Sequence, residues 1–391
     1  MKLITIIGIL LVLMAGIQAV AAAETYVYAA QWGKAGGGSG TGNGEFNQPA
    51  RISFDTHGSV FVDDMNNHRI QKFTTVGGFI TAWGSKGVAD PPSAAGTFLS
   101  PLGVAVDSQD YLYVADRDIH RIQVMDPSRI WTVFGPNGTG ELLQPSDIAV
   151  DSFDNVYVVD WGHNRIRKFD LQGTPLGEWG TLGSGNLQFN GPRGIAIDNA
   201  DNVYVADTGN NRIEKFDSNG AYLATIGTSG TGNGQLSGPW GVDVDTAGNV
   251  YVADTGNNRV EKFNRSGAFL ATIGTSGTGN GQFSMPYDVS VNSVGMVYVA
   301  DTGNNRIQFF LPKTVNTTPL LVPGGVGVPT DTNGDGRYDD VDGNRVLDFN
   351  DVALYFNQMD WIAANEPLAA FDYNGNGQID FNDVVWLFNQ I

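Results

Sequence analysis

The sequence predicts an all-β chain: a six-bladed β-propeller with its N-terminal strand closing the last blade, followed by a small C-terminal α-helical calcium-loop domain. Three observations predict it. The stretch VYVADTGNNR stands at Val203–Arg212, Val250–Arg259 and Val297–Arg306, and returns in altered form at Val60–Arg69, Leu112–Arg121 and Val156–Arg165. Measured on its Asp (Asp64, Asp116, Asp160, Asp207, Asp254, Asp301), it recurs in steps of 52, 44, 47, 47 and 47 residues, a period that means one supersecondary unit per repeat. Two twelve-residue runs in one register, Asp340–Asp351 and Asp372–Asp383, carry oxygen side chains at the spacing of a calcium loop.

The chain has 391 residues, 41% of them hydrophobic, enough for a large core and a small second domain. Met1-Lys2, the apolar run Leu3–Leu13 and then Ala21-Ala22-Ala23 read as a signal peptide over residues 1–23, with Glu24 first in the mature chain and an extracellular or cell-surface location. The competing reading is an uncleaved anchor, since Leu3–Ala23 is long enough to span a bilayer. There is no Cys, which excludes disulfides, a thiol nucleophile and thiolate metal sites. The formal net charge of −19 argues against nucleic acid and anionic membranes as partners.

Residues 24–311 supply the blades. Apolar and polar positions alternate in GVAVD, VYVAD and RIxKF with β-branched and aromatic residues, and a fourth strand follows, as in Tyr222–Gly227. Gly, Asn, Asp and Ser punctuate the reversals. Four antiparallel strands per unit make a propeller blade. The sixth unit stops after Arg306–Phe310, whereas Tyr26–Gly33 begins the mature chain unpaired, its Trp32-Gly33 matching Trp83-Gly84 and Trp179-Gly180. That strand is expected to complete blade six. The motif's Asp and Arg flank a tight reversal and recur in every blade, which assigns them to building it. On these residues the chain resembles the NHL repeat family of β-propellers, which implies six blades and no single activity.

Each first strand follows a proline, at Pro49, Pro101, Pro145, Pro192, Pro239 and Pro286, so the next residues, Ala50, Leu102, Ser146, Arg193, Trp240 and Tyr287, are expected around the channel mouth. Arg193, Trp240 and Tyr287 form a candidate ligand ledge for a sugar ring, a peptide or a carboxylate. The plainer alternative is that Trp240 and Tyr287 plug the mouth. The loop Ser85–Thr97 carries five extra residues on this face. His68, His120 and His163 lie in corresponding hairpins and raise a metal site, against a turn role in place of Asn. Some propellers resembling this family, such as peptide-amidating lyases, bind metal through His just after the proline, where this chain has none. Asp147 and Asp288 replace the usual Gly two residues after the proline, as acid–base groups or calcium ligands on opposite sides of the ring.

Residues 312–330, rich in Pro, Thr, Val and Gly, read as a linker. Residues 331–391 hold twelve Asp or Glu against Arg337 and Arg345. The first loop offers Asp340, Asp342, Asn344, the Val346 carbonyl, Asp348 and Asp351; the second offers Asp372, Asn374, Asn376, the Gln378 carbonyl, Asp380 and Asp383. An overlapping loop starting with Asp331, Asn333 and Asp335 competes for Asp340 and Asp342, and Arg345 stands where the second loop has Gly377. Each loop leads into an apolar stripe at helical spacing, Val352, Tyr355, Phe356, Met359 and Val384, Leu387, Phe388, Ile391. Asp at the twelfth position and the duplication make the tail resemble a dockerin domain. The resemblance implies Ca²⁺ as cofactor, a cohesin-like receptor, and partner contacts through Phe349, Asn350, Phe381 and Asn382. Together these features point to a secreted non-catalytic binding or scaffold protein with a protein or carbohydrate ligand. The rivals are an extracellular lyase or carbohydrate-active hydrolase centred at the channel mouth, and a structural cell-surface or adhesion component. No Gly-x-Ser-x-Gly nucleophile motif is present.

Overall fold

The computed structural model describes residues 25–88, 94–134 and 142–313. The expected signal peptide, most of the expected linker and the expected calcium-loop tail lie outside the described residues. Within them six four-stranded antiparallel sheets follow one another as blades. Blade four is typical, with strands Ile195–Ile197, Val203–Asp207, Arg212–Phe216 and Tyr222–Ile226. No helix among the described residues is long and apolar enough to cross a membrane.

All five residues of the VYVAD strand are buried in every blade because both of its faces meet another blade. Successive side chains alternate between the two interfaces. Val203 and Val205 pack toward blade three with Tyr157, Val159 and Ile166, while Tyr204 and Ala206 pack toward blade five with Val250, Val252 and Phe263.

The reversal after this strand is a single 3-10 turn ending on a left-handed residue, Asn211 (φ 55°), Asn258 (φ 54°) or Asn305 (φ 56°) in blades four to six. Its Asp is shared between two elements. In blade four, Asp207 Oδ1 accepts the Asn190 amide (2.7 Å), and Oδ2 accepts Arg212 Nε (2.8 Å) and Asn210 Nδ2 (2.7 Å). Arg212 Nη2 then donates to the carbonyls of Gly185 and Gln188. The motif's Asp and Arg are therefore spent on the blade, pinning the Gly-rich loop that enters it. The left-handed Asn reaches on to the next blade, as when Asn211 Oδ1 accepts the Gly238 amide (2.7 Å).

The ring closes as the strand count requires. Thr25–Gly33 pairs antiparallel with Arg306–Lys313, from Thr25 opposite Lys313 to Gly33 opposite Arg306. Trp32 is the anchor, buried among Phe73 of blade one and Tyr298 and Phe309 of blade six. Gly77 (φ +88°), in the last turn of blade one, lies where a Cβ would run into the Trp32 ring, so the turn lies down on the indole.

Deleting residues through Gly33 is expected to leave the edge of Arg306–Lys313 open and to give an aggregating product with no cooperative melt, checked by size exclusion and calorimetry. Trp32→Ala should retain closure and lose about 3–5 kcal/mol in urea unfolding.

Candidate functional site at the channel mouth

Two sets of residues meet at the face where the inner strands begin. The first follows the prolines. Ala50, Leu102 and Ser146 are buried, whereas Arg193, Trp240 and Tyr287 are half-buried. The second follows the motif Asp: Met65, Arg117, Trp161, Thr208, Thr255 and Thr302. Blades four to six carry the small member here, and its hydroxyl donates to the next blade's proline carbonyl (Thr208 to Pro239, 2.7 Å; Thr255 to Pro286, 2.6 Å; Thr302 to Pro49, 2.6 Å). Blades one to three carry the large member. Each half of the ring thus projects side chains from a different register, and the two halves interlock.

The interlock is a column. The Arg193 guanidinium lies 4.4 Å from the Trp161 ring and 4.2 Å from the Trp240 ring, and Trp240 stacks on Tyr287 at 3.7 Å and 22°. Tyr287 in turn packs against Ala50, Met65 and Leu102. The expected ledge of open aromatic faces is therefore closed on itself, because the two rings flanking Arg193 spend those faces on the cation. What stays available is the in-plane N–H edge of Arg193. Among the described residues no carboxylate pairs with that guanidinium and no acceptor takes its hydrogens. Burial, with the like charges of Arg51 and Arg117, pulls its pKa down to about 10. Arg117 is held against Asp118 (2.7 Å), which also accepts the Ser100 hydroxyl.

Below the column runs a side chain that sequence reasoning missed. Arg51, two residues after Pro49, is 2% exposed and crosses the channel. Its Nη2 donates to the carbonyls of Arg193 (2.7 Å) and Trp240 (3.4 Å), and its Nη1 donates to the Tyr287 carbonyl (3.1 Å) and Asp288 Oδ1 (3.2 Å). Its Nε lies 3.4 Å from Asp147 Oδ2. Asp147 and Asp288, expected apart across the ring, are thus joined through one guanidinium. They also staple neighbouring blades, accepting the amides of Ile195 (3.0 Å) and Ile52 (2.9 Å). Both oxygens of each carboxylate already face donors of the protein, which assigns the pair to joining blades. The signal for Arg51 was present, since it departs from Gly at the same position as Asp147 and Asp288. The paired departure, Asp63 for the usual Ala of VYVAD, supplies a third carboxylate, whose Oδ1 accepts the amides of Ala50 (2.7 Å) and Arg51 (2.6 Å).

One guanidinium against three buried carboxylates leaves an excess of acid. Burial raises Asp63 to about 8 and Asp147 to about 6, and raises Asp288 well above the carboxylate range. Burial alone would lower Arg51, but Asp147, Asp288 and Asp63 outweigh it and raise its pKa. Past this cluster the inner strands line an open pocket of about 250 Å³, with Asp147, Asp243, Asp288 and Ser290 among apolar neighbours. Burial lifts Asp243 to about 6, and its Oδ2 accepts the Val291 amide (2.7 Å).

The histidines serve turns. His68 (φ 57°) and His120 (φ 58°) take the left-handed position of Asn211. His68 Nδ1 lies 2.7 Å from the Leu99 carbonyl, to which it donates, and His120 Nδ1 accepts the Gln144 amide (3.0 Å). His163 stands one residue earlier, with Nδ1 2.9 Å from Asp160 Oδ2. A separate group, Asp55, His57 and Asp110, gathers on the opposite face, but Asp55 already accepts the amides of His57 and Ser59 and the Lys72 ammonium. The calcium and partner residues named in 331–391 lie outside the described residues.

The fold is a six-bladed β-propeller built on a repeated motif. The family model of the NHL repeat matches residues 98–125, 142–169, 189–216, 236–263 and 283–310, which are blades two to six. The chain carries NHL repeats, and blade one, where Phe61, Asp63 and Met65 depart from the pattern, completes the six. No curated protein matches the chain in sequence. Similar solved structures include a gluconolactonase from Xanthomonas campestris, 15% identical over 75% of this chain and 99% of that one, TM-score 0.52. A streptogramin B lyase is 14% identical over 68% and 94%, TM-score 0.51. An auxiliary nutrient binding protein from Bacteroides thetaiotaomicron is 11% identical over 74% and 73%, TM-score 0.53. At such identities the likeness is one of fold.

The Asp63 shift has a testable sign. Its folded pKa lies above the unfolded value of about 3.9, so the native state holds an extra proton. The stability this gives is complete below about pH 4 and is lost as pH rises toward 8. Asp63→Asn keeps the acceptor for the Ala50 and Arg51 amides and removes the titration. Urea unfolding of the variant is expected to flatten with pH and to gain about 2–5 kcal/mol over the parent at pH 9.

Proposed function

We propose that the chain is a secreted, non-catalytic binding protein in which the channel mouth takes a carboxylate-bearing ligand, an acidic glycan or a peptide with a free carboxyl terminus. The carrying observation is the Arg193 guanidinium, clamped between Trp161 and Trp240 with its N–H edge unpaired among the described residues. Arg129 and Arg265 also lack a carboxylate partner among the described residues, but both are exposed, whereas Arg193 is half-buried. The clamp fixes the plane of the fork, so two parallel N–H groups meet a carboxylate with little ordering left to do. Arg117 adds positive potential nearby, and Tyr287 and Trp240 supply an apolar wall. The same geometry disfavours a neutral sugar that binds by stacking alone, because the ring faces are occupied.

Titration calorimetry of an oligogalacturonate against its neutral counterpart, and of a short peptide against its C-terminal amide, tests this reading. Only the acids are expected to bind. Arg193→Ala should weaken them about 10- to 100-fold, the loss of a charge-assisted pair worth about 1.5–3 kcal/mol, while Arg193→Lys should recover only part. Equal binding of acid and neutral forms would refute it.

The second half of the proposal is the tail. Residues 331–391 bind at least two Ca²⁺ ions through the loops at Asp340–Asp351 and Asp372–Asp383 and dock onto a cohesin-like receptor, because two full oxygen sets stand in an otherwise self-repelling acidic segment. Chelation of the full chain is expected to abolish the helical gain in circular dichroism and receptor binding while leaving the propeller melt unchanged. Asp372→Ala with Asp383→Ala should remove one ion. A chain that takes up no calcium would sink this half alone.

A further inference from the structure

Arg51 reaches from blade one to the backbone carbonyls of Arg193, Trp240 and Tyr287, three consecutive blades that run from the opposite blade four round to the adjoining blade six. These are the three half-buried residues that follow the prolines. Glycine lets the inner strands of these blades approach one another, since a Cβ at Gly194 would strike the Trp240 carbonyl and one at Gly241 would strike Asp288. We propose that Arg51 is the positioning residue of the mouth, setting the spacing of those three backbones and hence the stack that presents the Arg193 edge, with the proton on Asp63 controlling how firmly it holds them. The inference rests on the reading of the mouth as a carboxylate site.

The lever follows from what each group has left to do. Asp63 Oδ1 is satisfied by two amides, but Oδ2 is buried without a hydrogen-bond partner. As a neutral acid this oxygen is tolerated. Ionised, it is an uncompensated buried charge, and Arg51, whose own Nε makes no hydrogen bond, is the cation at hand. Drawing the guanidinium toward Asp63 takes it from the carbonyls. The other groups facing this pair are Asp147 from blade three and Asp288 from blade six, with Asp243 of blade five beside Asp288. Burial places the Asp63 titration near pH 8. Arg193 stays charged through that range.

Two readouts separate this inference from the ligand reading. The near-ultraviolet circular dichroism that Trp240→Ala removes reports the Trp240–Tyr287 stack without any ligand. Affinity for an oligogalacturonate reports the mouth. In the parent chain both are expected to fall between pH 7 and pH 9, affinity by about tenfold. Asp63→Asn should hold both level. Arg51→Met should lose the stack signal at every pH, and Arg51→Lys should restore part of it. If Arg51→Met does not fold, Asp63→Asn and Arg51→Lys still decide. Asp288→Asn with an unchanged profile assigns the proton to Asp63; a profile flattened by Asp288→Asn and untouched by Asp63→Asn overturns the assignment. A stack signal indifferent to Arg51 overturns the proposal outright. Should the oligogalacturonate fail to bind while the stack follows Arg51 and Asp63 as expected, the ligand reading falls and the positioning role stands.

Discussion

A carboxylate with no exposure to solvent ends the second strand of every blade, at Asp64, Asp116, Asp160, Asp207, Asp254 and Asp301. A buried charge of this kind is tolerable only when both oxygens are engaged. Each is engaged in the same way, by an amide of the entering loop seventeen residues upstream and, in the fully patterned blades, by Asn and Arg of its own turn. The carboxylate therefore fixes the loop, the reversal and the next strand at one point. Inner strands can start at one level around the ring only because six such points hold their entry loops. The mouth inherits its geometry from them.

Most of this architecture was legible in residues. A side chain demanded in every blade announces a structural role, the strand count announced the closing strand, and His at a left-handed position announced a turn. The mouth was legible only in part. Arg193, Trp240 and Tyr287 stood out as large residues after prolines, and they do sit together. Their mutual stacking did not show, because it depends on Trp161, which lies 32 positions before Arg193 in a hairpin of the preceding blade. Arg51 was hidden for a different reason. It fills the same position after the proline as Asp147 and Asp288, but nothing in a linear pattern says that a side chain crosses a channel.

Departures from a repeat gain meaning when they are read together. Blade one replaces Gly by Arg at 51, Ala by Asp at 63 and Thr by Met at 65. Taken singly each is a flaw in the pattern. In space the first two form one cluster with Asp147 and Asp288, and the third floors the mouth under Tyr287. Blades four to six, nearly identical in sequence, contribute the opposite half of the mouth through residues that differ only after the proline. The frame is uniform, and chemical individuality is confined to two registers of it.

The closing strand has a consequence for the order of events during synthesis. Thr25–Gly33 is the first strand of the propeller to leave the ribosome, yet its partner is the last, Arg306–Lys313. Trp32 must therefore wait, apolar and unsheltered, until blade one and blade six stand on either side of it. Contacts of such sequence separation form slowly, and an open, unpaired edge invites a neighbouring chain meanwhile. A chain built this way gains from being held unfolded until it is whole, so that its first strand and its last meet in a single step.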